Sequence, residues 1–141
     1  MENRPLIGVA TCIFKDGQVL LGLRKGKHAN NTWGFPGGHL EFGEKIEDCA
    51  RREIAEEVDV EVNCLSFISV VGNVYEEENK HYLTILYTAN YVSGDLTVKE
   101  PDKHLEWKWF PICDLPENLM PPAKKFLKEL SKDTLCSVII E

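Results

Sequence analysis

The stretch from Lys45 to Val58 contains no glycine or proline, and most of its residues favour a helix. Within it Glu53, Glu56 and Glu57 stand at i, i+3 and i+4. A helix therefore puts all three carboxylates on one face. At ~100° per residue they fill an arc of roughly 100°. Ala50, Ile54 and Val58 form an apolar stripe beside that arc, and Ile46 and Cys49 point within it. The carboxylates thus border the buried side of the helix. Crowded this way, each raises the others' pKa, and a hard divalent cation, which takes oxygen ligands, relieves the repulsion. The plain alternative is a solvated acidic face on which Glu47–Arg51 and Asp48–Arg52 make ordinary i,i+4 pairs. Gly37 and Gly38, just upstream, favour the metal, because they let the backbone approach a ligand closely.

The rest of the chain is dominated by β-type runs. Residues 6–14 form one, and the Lys15-Asp16-Gly17-Gln18 turn signal returns the chain into Val19–Arg24. Residues 26–38 read as a loop with a short extended piece near Trp33 and Phe35. Val60–Tyr75 and His81–Val92 are longer strands that Glu76–Lys80 joins as a hairpin. Residues 93–104 are loop-like, Glu106–Phe110 is a short strand, and Pro121-Pro122 open a helix that Ala123–Lys132 continues. The order of elements implies a mixed α and β fold with largely non-alternating β content, in one domain. The apolar end, with Leu135, Val138, Ile139 and Ile140, has three placements: core packing, an edge strand or a homodimer contact.

Composition narrows the function classes. Sixteen basic against twenty-three acidic residues leave a net charge of −7, which argues against binding a nucleic-acid polymer. A small phosphorylated ligand stays open, since a metal bridges carboxylate to phosphate. The five cysteines are scattered without a Cys-x-x-Cys pair, which speaks for small buried residues in a reducing compartment and against a disulfide scaffold or zinc ribbon. No apolar run approaches the roughly 20 residues of a membrane span. The start has no signal-peptide pattern, so a cytoplasmic location with no membrane partner is expected.

Gly38, five residues, Glu44, seven residues, then Arg52-Glu53-Ile54-x-Glu56-Glu57 resembles the signature of the Nudix hydrolases, G-x5-E-x7-R-E-U-x-E-E-x-G-U, where U is a bulky aliphatic residue. Val60 matches the final U. Asp59 replaces the penultimate Gly, at the helix end where a left-handed conformation is favoured. Leu20–Arg24 and Trp109-Phe110-Pro111 with Leu115-Pro116 extend the likeness over most of the chain. The Pro36–Glu44 run resembles the small MutT-like nucleoside triphosphate diphosphatases, including the thiopurine-nucleotide-cleaving kind.

The resemblance implies an α/β (α+β) fold, a mixed β-sheet sandwiched between helices, as a single Nudix domain over residues 1–141. It implies hydrolysis of a nucleoside diphosphate linked to another moiety. Mg²⁺ or Mn²⁺ would sit on Glu53, Glu56 and Glu57 with the Gly37 carbonyl, and Glu53 or its neighbour Glu56 would be the general base. Glu44 and Arg52 would hold loop and helix in register. Glu100 lies where MutT-like enzymes supply a late carboxylate, against the alternative of an exposed loop acid. Arg24 would pair with phosphate, Phe35 would line the base pocket, and Gly38 and His39 would face substrate. The rival readings are a surface Arg, a core Phe and a structural His. Trp33, Trp107 and Trp109 are expected to pack.

A nucleoside triphosphate, cleaved to monophosphate and pyrophosphate, is the expected substrate, as in nucleotide-pool sanitation. The alternatives are ADP-ribose, a dinucleotide or a nucleotide sugar, and beyond them a non-catalytic binding module. ADP-ribose enzymes tend to carry a proline about fifteen residues past the box; Tyr75 stands there, and no proline occurs between Pro36 and Pro101. A module without turnover usually loses box glutamates, and this chain keeps them.

Overall fold

The computed structural model describes residues 3–132. Strands β1 (Leu6–Lys15) and β2 (Gln18–Arg24) form a hairpin with Phe14 opposite Val19. Asp16 and Gly17 both have positive φ, 48° and 76°, as the two-residue turn between right-twisted strands requires. Two short strands follow, β3 (Trp33–Gly34) and β4 (Gly37–His39), and then helix α1 (Ile46–Glu57). The long strands β5 (Glu61–Tyr75) and β6 (Lys80–Ser93) pair antiparallel across a 3-10 turn at Glu76–Glu78. Strand β7 (His104–Pro111) and helix α2 (Pro121–Lys132) complete the described chain. Every expected element is present within a few residues. The apolar end segment lies outside the described residues.

All seven strands join one mixed sheet in the order β3-β2-β1-β6-β5, with β4 added to β1 and β7 to β2. β1 is the hub. It runs parallel to β6 from Leu6 to Phe14, while its Gly8–Ala10 stretch pairs antiparallel with β4. Parallel pairing needs a crossover, and the segment containing α1 and β5 supplies it.

The sheet buries both faces, which explains why β1 and β2 are nearly continuous apolar runs and not alternating ones. Cys12, Val19 and Leu21 pack with Leu127 and Ala123 of α2 on one face. Ile13 and Leu20 pack with Ile54 and Val58 on the other, where Val9 also meets Cys49 and Ala50. Ile13, Leu20 and Leu21 have no exposed surface, and each such side chain contributes ~1.5–3 kcal/mol. Trp33 and Trp107 are buried as expected.

Ile46, in the first turn of α1, is 39% exposed. The expectation for the cysteines needs correcting. Cys12 and Cys49 are buried, but Cys64 is exposed, at a left-handed φ of 56° in the irregular half of edge strand β5. Cys113 is disulfide-bonded. Asp59, the departure from the family pattern, adopts φ 52°, and its N–H closes on the Ile54 carbonyl at 2.8 Å. The helix therefore ends as a glycine would end it.

Candidate active site

Helix α1 presents its acidic face to the turn containing β4. Glu53 and Glu57 are buried, at 7% and 3% exposure, which is rare for carboxylates without a strong partner. Glu57 Oε1 accepts the Gly37 N–H at 2.8 Å, and its Oε2 lies 3.9 Å from His104 Nε2. Burial pushes the Glu57 carboxyl up to about 8, against the pull of the Gly37 N–H, and Glu53 adds repulsion. Glu53 is also raised, first by burial, with Arg52 opposing and Glu56 and Glu100 adding. Its carboxylate packs on Gly38, where any side chain would overlap it.

Arg52 organises the rim. Its Nε and Nη2 grip both oxygens of Glu44 at 2.7 and 3.0 Å, a fork geometry. Nη2 also reaches the His39 carbonyl at 3.1 Å, and Nη1 donates to Glu56 Oε1 at 3.0 Å. The Arg52 hydrogen bonds hold Glu44 down at about 2. Loop, strand β4 and helix are thus joined by a single guanidinium.

Glu53 and Glu57 border a cavity of about 390 Å³. Of the expected site residues, Arg24, Phe35, Gly37, Gly38, His39, Glu53 and Glu57 line it. Phe35 lines the cavity and also packs in the α2-side core. His39 stacks on Tyr82, with Nε2 at 2.8 Å from its hydroxyl. Glu56 and Glu100 are not part of the lining. Glu56 is turned to Arg52, and Glu100 pairs with Lys103 at 3.5 Å while still adding negative potential at Glu53 and Glu57. Among the described residues no three acidic, His or Cys side chains converge closely enough to hold a metal as they stand.

The donor chemistry nevertheless suits a hard cation. Two buried carboxylates face one cavity, and the neighbour of Glu57 within ion-pair range among the described residues is His104. Burial drives His104 down to about 4, with Arg24 and Lys103 adding, so at neutral pH it carries no compensating charge.

Sequence reasoning missed His28, Tyr75, Tyr82, Lys80, Lys103 and His104. Each except His104 lines the cavity. They come from four separate segments, and no local pattern marks them.

The fold agrees with known proteins. The NUDIX domain model matches residues 4–130. The chain is 31% identical, with a TM-score of 0.85, to the solved MutT NUDIX hydrolase from Burkholderia pseudomallei, covering 91% of this chain and 99% of that one. It is 29% identical over 113 residues to an ADP-ribose pyrophosphatase of Methanocaldococcus jannaschii, covering 80% of this chain and 66% of the relative. Over 136 residues it is 31% identical to the NAD-capped RNA hydrolase NudC of Edwardsiella ictaluri, covering 92% and 50%. The chain thus spans between half and two thirds of the length of these two curated relatives. A mixed sheet clasped by two helices, the intact run of box glutamates and a family match over almost the whole chain lead to one assignment: this chain belongs to the Nudix hydrolase family.

Proposed function

We propose that the chain hydrolyses the pyrophosphate linkage of a nucleoside triphosphate, releasing a nucleoside monophosphate and pyrophosphate, with Mg²⁺ or Mn²⁺ as cofactor. One observation carries the reading: the buried Glu53–Glu57 pair shares its cavity with five cationic side chains, Arg24, Lys25, Lys27, Lys80 and Lys103. Cations in that number suit a polyphosphate chain, and the carboxylates suit the metal that accompanies it.

Glu53, Glu56 and Glu57 would hold the metal, with the Gly37 carbonyl and Glu100 as further donors. Bound there, it would lower the pKa of a water and neutralise phosphate charge. Glu53 or Glu56 would accept a proton from the attacking water as general base. The water oxygen bonds to one of the two phosphorus atoms of the α–β linkage, the bridging P–O bond at that phosphorus breaks, and its electrons leave on the other fragment, giving monophosphate and pyrophosphate. Arg24 would pair with phosphate oxygens. Gly38 leaves room for the Glu53 carboxylate, and the Arg52–Glu44 fork keeps α1 and its loop in register. Phe35 would line the base pocket, beside the His39–Tyr82 stack.

The relatives support a second reading, a substrate whose pyrophosphate joins two larger groups. Two of them are named for ADP-ribose and NAD-capped RNA. Tyr75, at the position where a proline marks many ADP-ribose enzymes, lines the cavity here. Chromatography of products from triphosphates and ADP-ribose, run side by side with Mg²⁺, decides between them. The triphosphate is expected to lead by at least about tenfold in kcat/KM. Preference for ADP-ribose, or orthophosphate plus diphosphate as products, overturns the first reading.

A further inference from the structure

The carboxylates and lysines account for one part of the cavity. Another part is built from rings. His28 stacks on Tyr82 at 4.7 Å and meets Tyr75 edge-on at 4.8 Å, and Tyr82 in turn stacks on His39. All four residues line the cavity.

His28 sits on the loop between β2 and β3, which is held rigidly. Ala29 and Asn31 adopt left-handed φ values of 50° and 62°. The Thr32 hydroxyl donates to the Ala29 carbonyl at 2.6 Å, and Arg24 Nε donates to the His28 carbonyl at 3.3 Å. The strongest tie comes from far along the chain. Glu78, in the turn between β5 and β6, takes His28 Nδ1 on one oxygen at 2.6 Å and the Ala29 N–H on the other at 3.0 Å.

That clamp fixes the proton on the ring. Burial works to raise the Glu78 carboxyl, but the Ala29 N–H and His28 outweigh it and hold it below its ordinary value. Glu78 is therefore ionised and can only accept. Nδ1 must carry the hydrogen. Burial holds His28 below its ordinary pKa, so at neutral pH the ring is neutral and Nε2 has a bare lone pair. Nε2 has no partner among the described residues and is not closed off from solvent. The hydroxyl of Tyr75, whose ring meets His28 edge-on, is buried without a partner among the described residues. Unused polar capacity inside an aromatic wall is the pattern of a surface waiting for a polar ring.

We propose that His28 reads the nucleobase: Glu78 sets its tautomer so that Nε2 accepts a hydrogen bond from an exocyclic amino group of the base. The inference rests on the cavity being a nucleotide site. It names aminated bases as the preferred class, and it makes Glu78 a positioning residue acting through His28. A site built to accept such a bond discriminates against the analogue that lacks the donor, because a buried acceptor is left unpaired.

Binding tests this apart from turnover. Calorimetry in EDTA compares AMP with purine riboside monophosphate, and GMP with IMP, pairs that differ only by one amino group. In the unaltered protein at least one aminated member should bind at least about tenfold more tightly. His28→Phe keeps a ring against Tyr82 but removes the acceptor, so the ratio should fall to within about twofold of unity while the deamino analogue binds as before. Glu78→Gln lets the ring carry its proton on either nitrogen, so the ratio should fall at least about threefold; this variant decides the matter if His28→Phe does not fold. No discrimination in the unaltered protein, or discrimination that survives either substitution, overturns the proposal. Selective binding with no cleavage of any nucleotide in Mg²⁺ would leave it standing and remove the proposed hydrolysis instead.

Discussion

The Glu53 carboxylate occupies the space that a side chain on Gly38 would need. A helix residue and a strand residue are therefore matched by shape, and the glycine is there because the acid is. Gly38→Ala should push the carboxylate aside and lower kcat by about a hundredfold, the scale of a misplacement of about 1 Å in a reacting group. Gly72→Ala, where the nearest atom to an added methyl is 3.5 Å away, should leave kcat within about twofold. Steady-state kinetics with thermal melts of both variants checks the pair.

The carboxylates should behave differently from other acids on the same helix. Glu56→Gln or Glu57→Gln should cost at least about a hundredfold in kcat, the scale of a lost ligand or base. Glu47→Gln, in the exposed first turn, should change little. EDTA should abolish turnover and added Mg²⁺ restore it. Equal and small effects at all three positions would return the face to a solvated acidic surface.

Glu57 makes metal-free stability depend on pH. Its folded pKa, about 8, lies above the ordinary 4.5. Between those values the folded state holds a proton that the unfolded chain has lost, so stability falls as pH rises. The contribution is complete below about pH 4.5 and gone above about 8, at up to ~1.4 kcal/mol per pH unit. In EDTA, Tm should decline from pH 5 to 8 more steeply than in Glu57→Gln.

Arg52 holds Glu44, Glu56 and the His39 carbonyl together. Lysine keeps the charge but has no fork. Arg52→Lys should therefore lower kcat at least about tenfold with KM changed less, since the loss is in alignment of the helix. A KM effect alone would place Arg52 on the substrate instead.

Asp59→Gly should stabilise the protein. The residue sits at φ 52°, a conformation that costs a non-glycine residue roughly 1 kcal/mol. The Lys99 contact it would lose is 3.8 Å long between exposed side chains, worth well under about 1 kcal/mol. A denaturant midpoint higher than that of the unaltered chain is the expected result.

The box was readable because its chemistry is local. A helix repeats every 3.6 residues, so Glu53, Glu56 and Glu57 declare a shared face from spacing alone, and Asp16-Gly17 declares a hairpin. Burial was not readable. Glu53 and Glu57 differ from Glu56 only by a rotation about the axis, yet two are enclosed and the third turns to Arg52. That follows from how α1 lies on the sheet.

The sequence by itself determined the elements, the acidic helix face, the glycine turn opposite it and the family. Each depends on residues a few positions apart, where backbone geometry leaves few choices. The tertiary structure decided which carboxylates lose their water, that β1 runs parallel to β6, and that Glu78 clamps His28 from the far hairpin. Such contacts join segments whose residues carry no periodic or short-range signature of each other, because what selects them is the burial of both sheet faces at once. The base-reading wall belongs wholly to this second class. The rings of His28, Tyr75 and Tyr82 meet only after the β5–β6 hairpin has docked beside β1, and no spacing along the chain announces it.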